Sequence, residues 1–234
     1  MKTIQFSILR NCFILICLFW SLNMVAQSSD TFFSCAQIKQ DISQFNSLEN
    51  KHSNKKWAQN ILEFHPLVDG NIHYTYILEA KDTFNIDAMM NNTRAWLGAT
   101  TSSEVGAIKT FDKENKIIES AIANDNIGEA SGYGTLSVVS AIVNCRIAFK
   151  NNKIKLDLWV SHFYIGTASN WSRNKSETVP VSESYPVNEK GKHKSSLGMA
   201  FVNINSRCIN RAKSFLDYME QHHTEDLKRY DNDW

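Results

Sequence analysis

The chain has 234 residues, of which 25 are basic and 24 acidic, and 43% of it is hydrophobic. A chain of that length and apolar content can bury a core without disulfide staples. Its net charge of +1 gives no field that would favour nucleic acid or an anionic membrane surface.

Residues 1–27 read as a secretory signal peptide. Lys2 and Arg10 precede the apolar run Cys12 to Trp20, and a small-residue exit follows at Val25-Ala26-Gln27. The run is about ten residues, roughly half of what a membrane-spanning helix needs. Cleavage would remove Lys2 and Arg10, taking the basic count from 25 to 23 against 24 acidic residues. Cys17 follows Ile14-Leu15-Ile16 rather than small residues, so a soluble periplasmic or extracellular protein is expected over a lipoprotein, with no transmembrane segment after cleavage. Cys35, Cys145 and Cys208 would remain; export permits a disulfide, and an odd count leaves at least one thiol.

Residues 28–70 are polar, with scattered apolar positions (Phe32, Phe33, Ile38, Ile42, Phe45, Leu48) at helical spacing but with weak caps. They read as a partly helical leader or spacer, docked at its end through Trp57, Ile61, Leu62 and Phe64. The domain proper is expected over 71–223. Ile72 to Leu78 is rich in β-branched and aromatic residues and predicts a strand. A helix follows, with Asn85 as cap, a stripe of Ile86, Met89, Met90, Thr93, Trp96 and Leu97, and Gly98 as its close. Val105 to Phe111 and Ile117 to Ala123 flank a turn at Asp112 to Asn115, which predicts a hairpin.

The sharpest local prediction is a second hairpin, because Lys150-Asn151-Asn152-Lys153 separates two strong strand runs and Asn-Asn supplies the positive φ angles of a type I′ turn. A two-residue loop pairs Phe149 with Ile154, Ile147 with Leu156, Cys145 with Leu158 and Val143 with Val160. The other face then carries Arg146 opposite Asp157, Ala148 opposite Lys155 and Asn144 opposite Trp159. A slip of one residue would turn the charges inward.

Residues 166–196 are polar and read as a long mobile loop or lid. A closing helix carries the stripe Leu197, Phe201, Ile204, Cys208, Ala212, Phe215 and Met219, the pattern of a helix packed on a sheet. Residues 224–234 form a charged, fraying tail. The order β-α-β-β-β-β-α is that of an α+β layer structure, an antiparallel sheet packed by two helices. Cys145 and Cys208 both face inward in it, so a bridge between them is conceivable beside the plainer reading of buried thiols.

The segments Phe84 to Leu97, Ile108 to Ile118 and Val143 to Leu158 resemble a family of exported Bacteroidetes proteins, a domain of unknown function with a TATA-binding-protein-like (TBP-like) fold. The shared motifs are a helix ending in Trp96-Leu97, a Lys113-Glu114 turn followed by Ile117-Ile118, and a basic hairpin tip. The resemblance covers roughly residues 70 to 223 and implies a curved antiparallel sheet backed by helices. It brings no catalytic or ligand residues, and it does not imply DNA binding.

No reactive constellation stands out in the sequence. The seven histidines form neither an H-E-x-x-H motif nor a Cys-x-x-Cys-type zinc set, and His222-His223 with Glu225 and Asp226 read as a solvated helix end. Ser131-Gly132-Tyr133-Gly134 lacks the spacing of a nucleophile elbow or a phosphate cradle and reads as a bend. Asp82, Asp87, Glu104 and Glu119 would act as acid and base only if a cleft gathered them.

Met89, Met90, Phe201 and Phe215 are adaptable residues that would line an apolar pocket between sheet and helices. Trp171 and Tyr185 in the polar stretch offer a contact for a glycan or peptide. The expectation is a non-catalytic binding or interaction module that takes an apolar ligand, a glycan or an envelope protein, with no cofactor and no nucleic acid. A hydrolase of an envelope polymer, in which His162 is one candidate, and a structural component of an envelope assembly are the alternatives.

Overall fold

The computed structural model describes residues 31–49, 61, 63, 65–100, 108–132, 134–169, 174–184 and 193–224. Residues 1–27, expected to be a signal peptide, lie outside them, as do Trp57, Leu62, Phe64, Glu104, Tyr133, Trp171, Tyr185 and the tail from 225. The described elements, in chain order, are β1 (Phe33–Ser34), α1 (Ala36–Glu49), β2 (Ile72–Ala80), α2 (Ile86–Thr100), β3 (Ile108–Asp112) and β4 (Ile117–Gly132). There follow β5 (Thr135–Lys150), β6 (Lys153–Val160), β7 (His162–Ser169), β8 (Lys175–Pro180), the short α3 (Val181–Ser184) and α4 (Lys194–His222).

The expected hairpin forms in the expected register. β5 and β6 pair from Lys150 with Lys153 to Asn144 with Trp159, with Cys145 opposite Leu158 and Arg146 opposite Asp157. Asn151 takes the left-handed conformation at φ 52°, which its short side chain tolerates, but Asn152 does not have a positive φ, so the two-residue loop is not the type I′ turn expected. Cys145, Ile147, Leu156 and Leu158 are all buried, whereas Arg146 is exposed. The charges meet neighbours rather than each other: Arg146 lies 3.6 Å from Glu119, and Asp157 is 2.8 Å from Lys155. The β3–β4 hairpin also forms, its turn held by Asp112 Oδ1, which accepts from the Glu114 and Asn115 backbone amides.

All the described strands join one antiparallel sheet, whose main path has the order β1-β2-β6-β5-β4-β3. The long β5 is shared: its C-terminal half pairs with β6 and its N-terminal half with β7, which in turn carries β8. β6 and β7 thus run on along β5, interrupted only at Ser161. This one extra residue changes the alternation, so that even positions (Ile154, Leu156, Leu158, Val160) face the core before it and odd ones (Phe163, Ile165) after it.

Three helices form the second layer on that buried face. The α4 stripe is sealed as expected, with Phe201, Ile204, Cys208, Ala212, Phe215 and Met219 at 0% exposure. Asn85 caps α2 by accepting from the Asp87 and Ala88 amides, and Trp96 of α2 meets Phe215 of α4 with ring centroids 4.9 Å apart. Gly98 does not end α2, which continues to Thr100.

A bulge in β4 between Asn124 and Gly128 brings that strand against α4. A side chain on Gly128 would place its Cβ 2.1 Å from the Ser196 carbonyl oxygen and 2.8 Å from the Ala200 nitrogen. Only glycine fits there. Asn203 Nδ2 donates to the Ile127 carbonyl at 2.7 Å, so the bulge's backbone is satisfied from the helix.

Two expectations are corrected. Residues 28–70 are not a spacer along their whole length: Phe33 lies in a strand paired to β2, and Phe33, Ile38, Phe45 and Ile61 are core residues. The polarity of α1 hid this, since only one narrow stripe of it is buried. Nor is 166–196 a loop throughout, because β7 runs to Ser169 and β8 pairs with it from Lys175 to Pro180. β8 is an edge strand whose residues are largely exposed, so backbone pairing rather than an apolar pattern defines it. The α+β class stands, with eight described strands and a third helix packed on the sheet.

Candidate functional site

The pocket expected between sheet and helices is closed core. Met89, Met90, Phe201 and Phe215 are each no more than 1% exposed. The physical reason is the fit of α2 against α4, where Thr93, Met219, Trp96 and Phe215 interlock. Cys35, Cys145 and Cys208 are free and buried, and the Cys145–Cys208 bridge is not formed. Burial pushes both the Cys145 and the Cys208 thiol up to about 12, which keeps them protonated and inert at neutral pH.

The open features lie on the other face, which none of the described helices covers. Register places its residues in rows across the strands. Ser140, Tyr164 and Thr178 form one row, Val138, Gly166 and Ser176 the next, and Leu136 and Ala168 a third. Successive rows are about 7 Å apart, two residues along a strand. Tyr164 and Leu136 are 41% and 36% exposed.

At Gly166 a Cβ would find no atom nearer than the Val138 carbonyl oxygen at 3.9 Å, so the glycine leaves a notch between Tyr164 and Ala168. Two clefts border β7. One, of about 300 Å³, includes Ser140, Tyr164, Gly166, Ser176 and Thr178. The other, of about 750 Å³, lies at the strand ends, where Ser131, Leu136 and Ala168 of this face are joined by Thr135 and Asn174. Both volumes fall in the range of small-molecule sites. Among the described residues, every side chain lining them apart from Glu177 is uncharged.

The titratable groups that are perturbed sit elsewhere, under α1. Tyr76 donates to Asp41 Oδ2 at 2.8 Å, His65 Nε2 lies 3.7 Å from Asp41 Oδ1, and Tyr74 donates to Asn205 Oδ1 at 2.6 Å. Desolvation raises the Asp41 carboxyl above its usual range, against the opposing pull of Tyr76 and His65, and the same burial lowers His65. An acid and a base thus lie side by side, but His65 is only 19% exposed and Asp41 only 4%.

A second buried histidine, His193, stands in the left-handed conformation at the start of α4. Its Nδ1 is 3.0 Å from Ser137 Oγ and its Nε2 2.9 Å from Glu177 Oε1. It clasps α4 to β5 and β8.

The carboxylates singled out in the sequence are not gathered. Asp87 is ion-paired with Lys116 at 2.9 Å, and that bond holds its carboxyl below the usual range; Glu119 meets Arg146, and Asp82 is exposed. His162 is exposed and contacts Ser161 Oγ. Among the described residues no group of three or more His, Cys, Asp or Glu could hold a metal ion, and no helix is long and apolar enough to cross a membrane. Trp171 and Tyr185 lie outside the described residues. The sequence reading missed the Gly166 notch and the Asp41–His65 pair; the alternation of Phe163 and Ile165 was the signal for β7.

The arrangement defines an α+β protein with one antiparallel sheet, helices on one face and clefts on the other. Among solved structures it is similar to a TBP-like protein from Parabacteroides distasonis ATCC 8503, with 11% identity, a TM-score of 0.44, and coverage of 64% of this chain and 96% of that one. It is also similar to a DUF4468 family protein from Bacteroides ovatus ATCC 8483, with 12% identity, a TM-score of 0.43, and coverage of 64% and 89%. No family model matches the chain, and no curated protein matches it.

Proposed function

We propose that this protein is a non-catalytic binding module, exported by residues 1–27 and acting in the periplasm or outside the cell. It holds its ligand on the sheet face opposite the helices. One observation carries the reading: Met89, Met90, Phe201 and Phe215 between sheet and helices are sealed, whereas two clefts border β7 and take in Ser140, Tyr164, Leu136 and Ala168 of the other face. The interior thus supplies stability and the exterior recognition. The acid–base pair Asp41–His65 lies beneath α1 rather than in either cleft, so the reading assigns it to structure.

Native mass spectrometry of the purified chain against cell-envelope glycan, lipid and protein extracts tests the proposal. A retained species that Tyr164→Ala weakens is the expected outcome. Failure to retain any species, or retention that changes at the open face do not affect, contradicts it.

A further inference from the structure

Resting on that reading of the open face, we infer that its ligand is a neutral glycan, laid as a strand of linked rings along β7. The lining chemistry selects this class. Ser140, Ser176 and Thr178 flank the Tyr164–Gly166 stretch, and Ser131, Thr135 and Asn174 flank the stretch at Ala168. Short hydroxyl and amide side chains both donate and accept, as the hydroxyls of a sugar require. Among the described residues no lysine, arginine or histidine lines either cleft, so none of them offers a phosphate, sulfate or carboxylate group a counter-charge. The one carboxylate, Glu177, is turned toward His193 at 2.9 Å.

Shape agrees with chemistry. An apolar ligand would need an enclosed site, and these clefts are shallow and open, with hydroxyl and amide groups along them. The notch at Gly166 lets a flat ring approach the sheet backbone, and the exposed Tyr164 beside it offers an aromatic face for stacking. Three rows about 7 Å apart, from Ser140–Tyr164–Thr178 to Leu136–Ala168, give a track longer than a single ring needs. A peptide added to the β8 edge is the competing occupant. It is disfavoured because β8 is short and bounded by Lys175 and Pro180, which blunt an edge strand.

The test is calorimetric titration of the full mature chain with neutral α- and β-linked hexasaccharides, an anionic hexasaccharide and an extended hexapeptide. Gly166→Val and Tyr164→Ala serve as variants. Gly166 has an ordinary strand backbone with space for a side chain, so valine keeps the fold while filling the notch, and circular dichroism melting verifies this.

Binding of a neutral hexasaccharide, weakened about tenfold or more by Gly166→Val and less by Tyr164→Ala, is the expected result. Preferential binding of the anionic sugar overturns the ligand class, and so does peptide binding that Gly166→Val leaves unchanged. If envelope extracts are retained at the open face but no neutral sugar binds, this inference fails while the binding-module reading stands. If nothing is retained at all, both fail.

Discussion

Along β7, residues one apart in sequence meet opposite environments: Phe163 and Ile165 are sealed in the core, while Tyr164 and Gly166 border open clefts. The same contrast separates the sheet's two faces throughout. One is fixed by interlocked aromatic and aliphatic side chains and tolerates no added atom at Gly128; the other has room to spare at Gly166. Packing determines the first face, and the second is free to be shaped by recognition.

The sharpest way to break this comparison is to make like changes on both faces. Phe215→Ala on the buried side is expected to cost about 3–5 kcal/mol in denaturant unfolding, against well under about 1 kcal/mol for Tyr164→Ala on the open side. The glycines should diverge in sign. Gly128→Ala drives a methyl group into the Ser196 carbonyl and is expected to destabilise by about 3 kcal/mol, whereas Gly166→Val is neutral or mildly stabilising, since valine suits a strand. Equal losses at the two glycines, read from thermal melts, would contradict the two-face account.

A smaller effect concerns pH. The raised folded-state pKa of Asp41 means that its contribution to stability is fully present below about 3.8, its ordinary value, and is lost as pH rises through the folded value. His65, with a lowered folded-state pKa, contributes stability that is present above about 6.5 and lost as pH falls through its folded value. Asp41→Asn keeps an acceptor for Tyr76 and removes the first dependence. Its unfolding free energy should therefore fall less steeply between acid and neutral pH than that of the unmodified chain. An unchanged slope would remove Asp41 from the account. The smallest expected signal is chemical: in the native state Cys145 and Cys208 should not react with a thiol reagent at neutral pH, and should react fully once unfolded.

Where side-chain pattern and turn chemistry agree, the fold was legible. The Asn151-Asn152 turn and the alternating runs around it specify the β5–β6 register residue by residue, Asn85 announces α2, and the Leu197 to Met219 stripe announces α4. Where the backbone does the holding, it was not. β8 is polar and exposed, and exists because its amides and carbonyls pair with β7. Ser161 resets the alternation between β6 and β7, so the two strands do not read as one. The candidate site was hidden for a related reason, since a notch left by Gly166 and a floor at Ala168 produce no periodic signal. Distant residues also meet without local warning: Tyr74 and Asn205, and Tyr76 and Asp41, are joined only by the packing of α4 and α1 on β2.

Hydroxyl-radical footprinting of the native chain, read residue by residue by mass spectrometry, tests the two-face arrangement most directly. Methionine is intrinsically easy to oxidise, so exposure would be plain at Met89, Met90 and Met219. The account predicts that these three, with Phe163 and Phe201, stay protected while Tyr164, Leu136 and Ile77 are modified. Methionine oxidation as fast as that of Tyr164, or protection of Tyr164 and Leu136 in the absence of ligand, would contradict it.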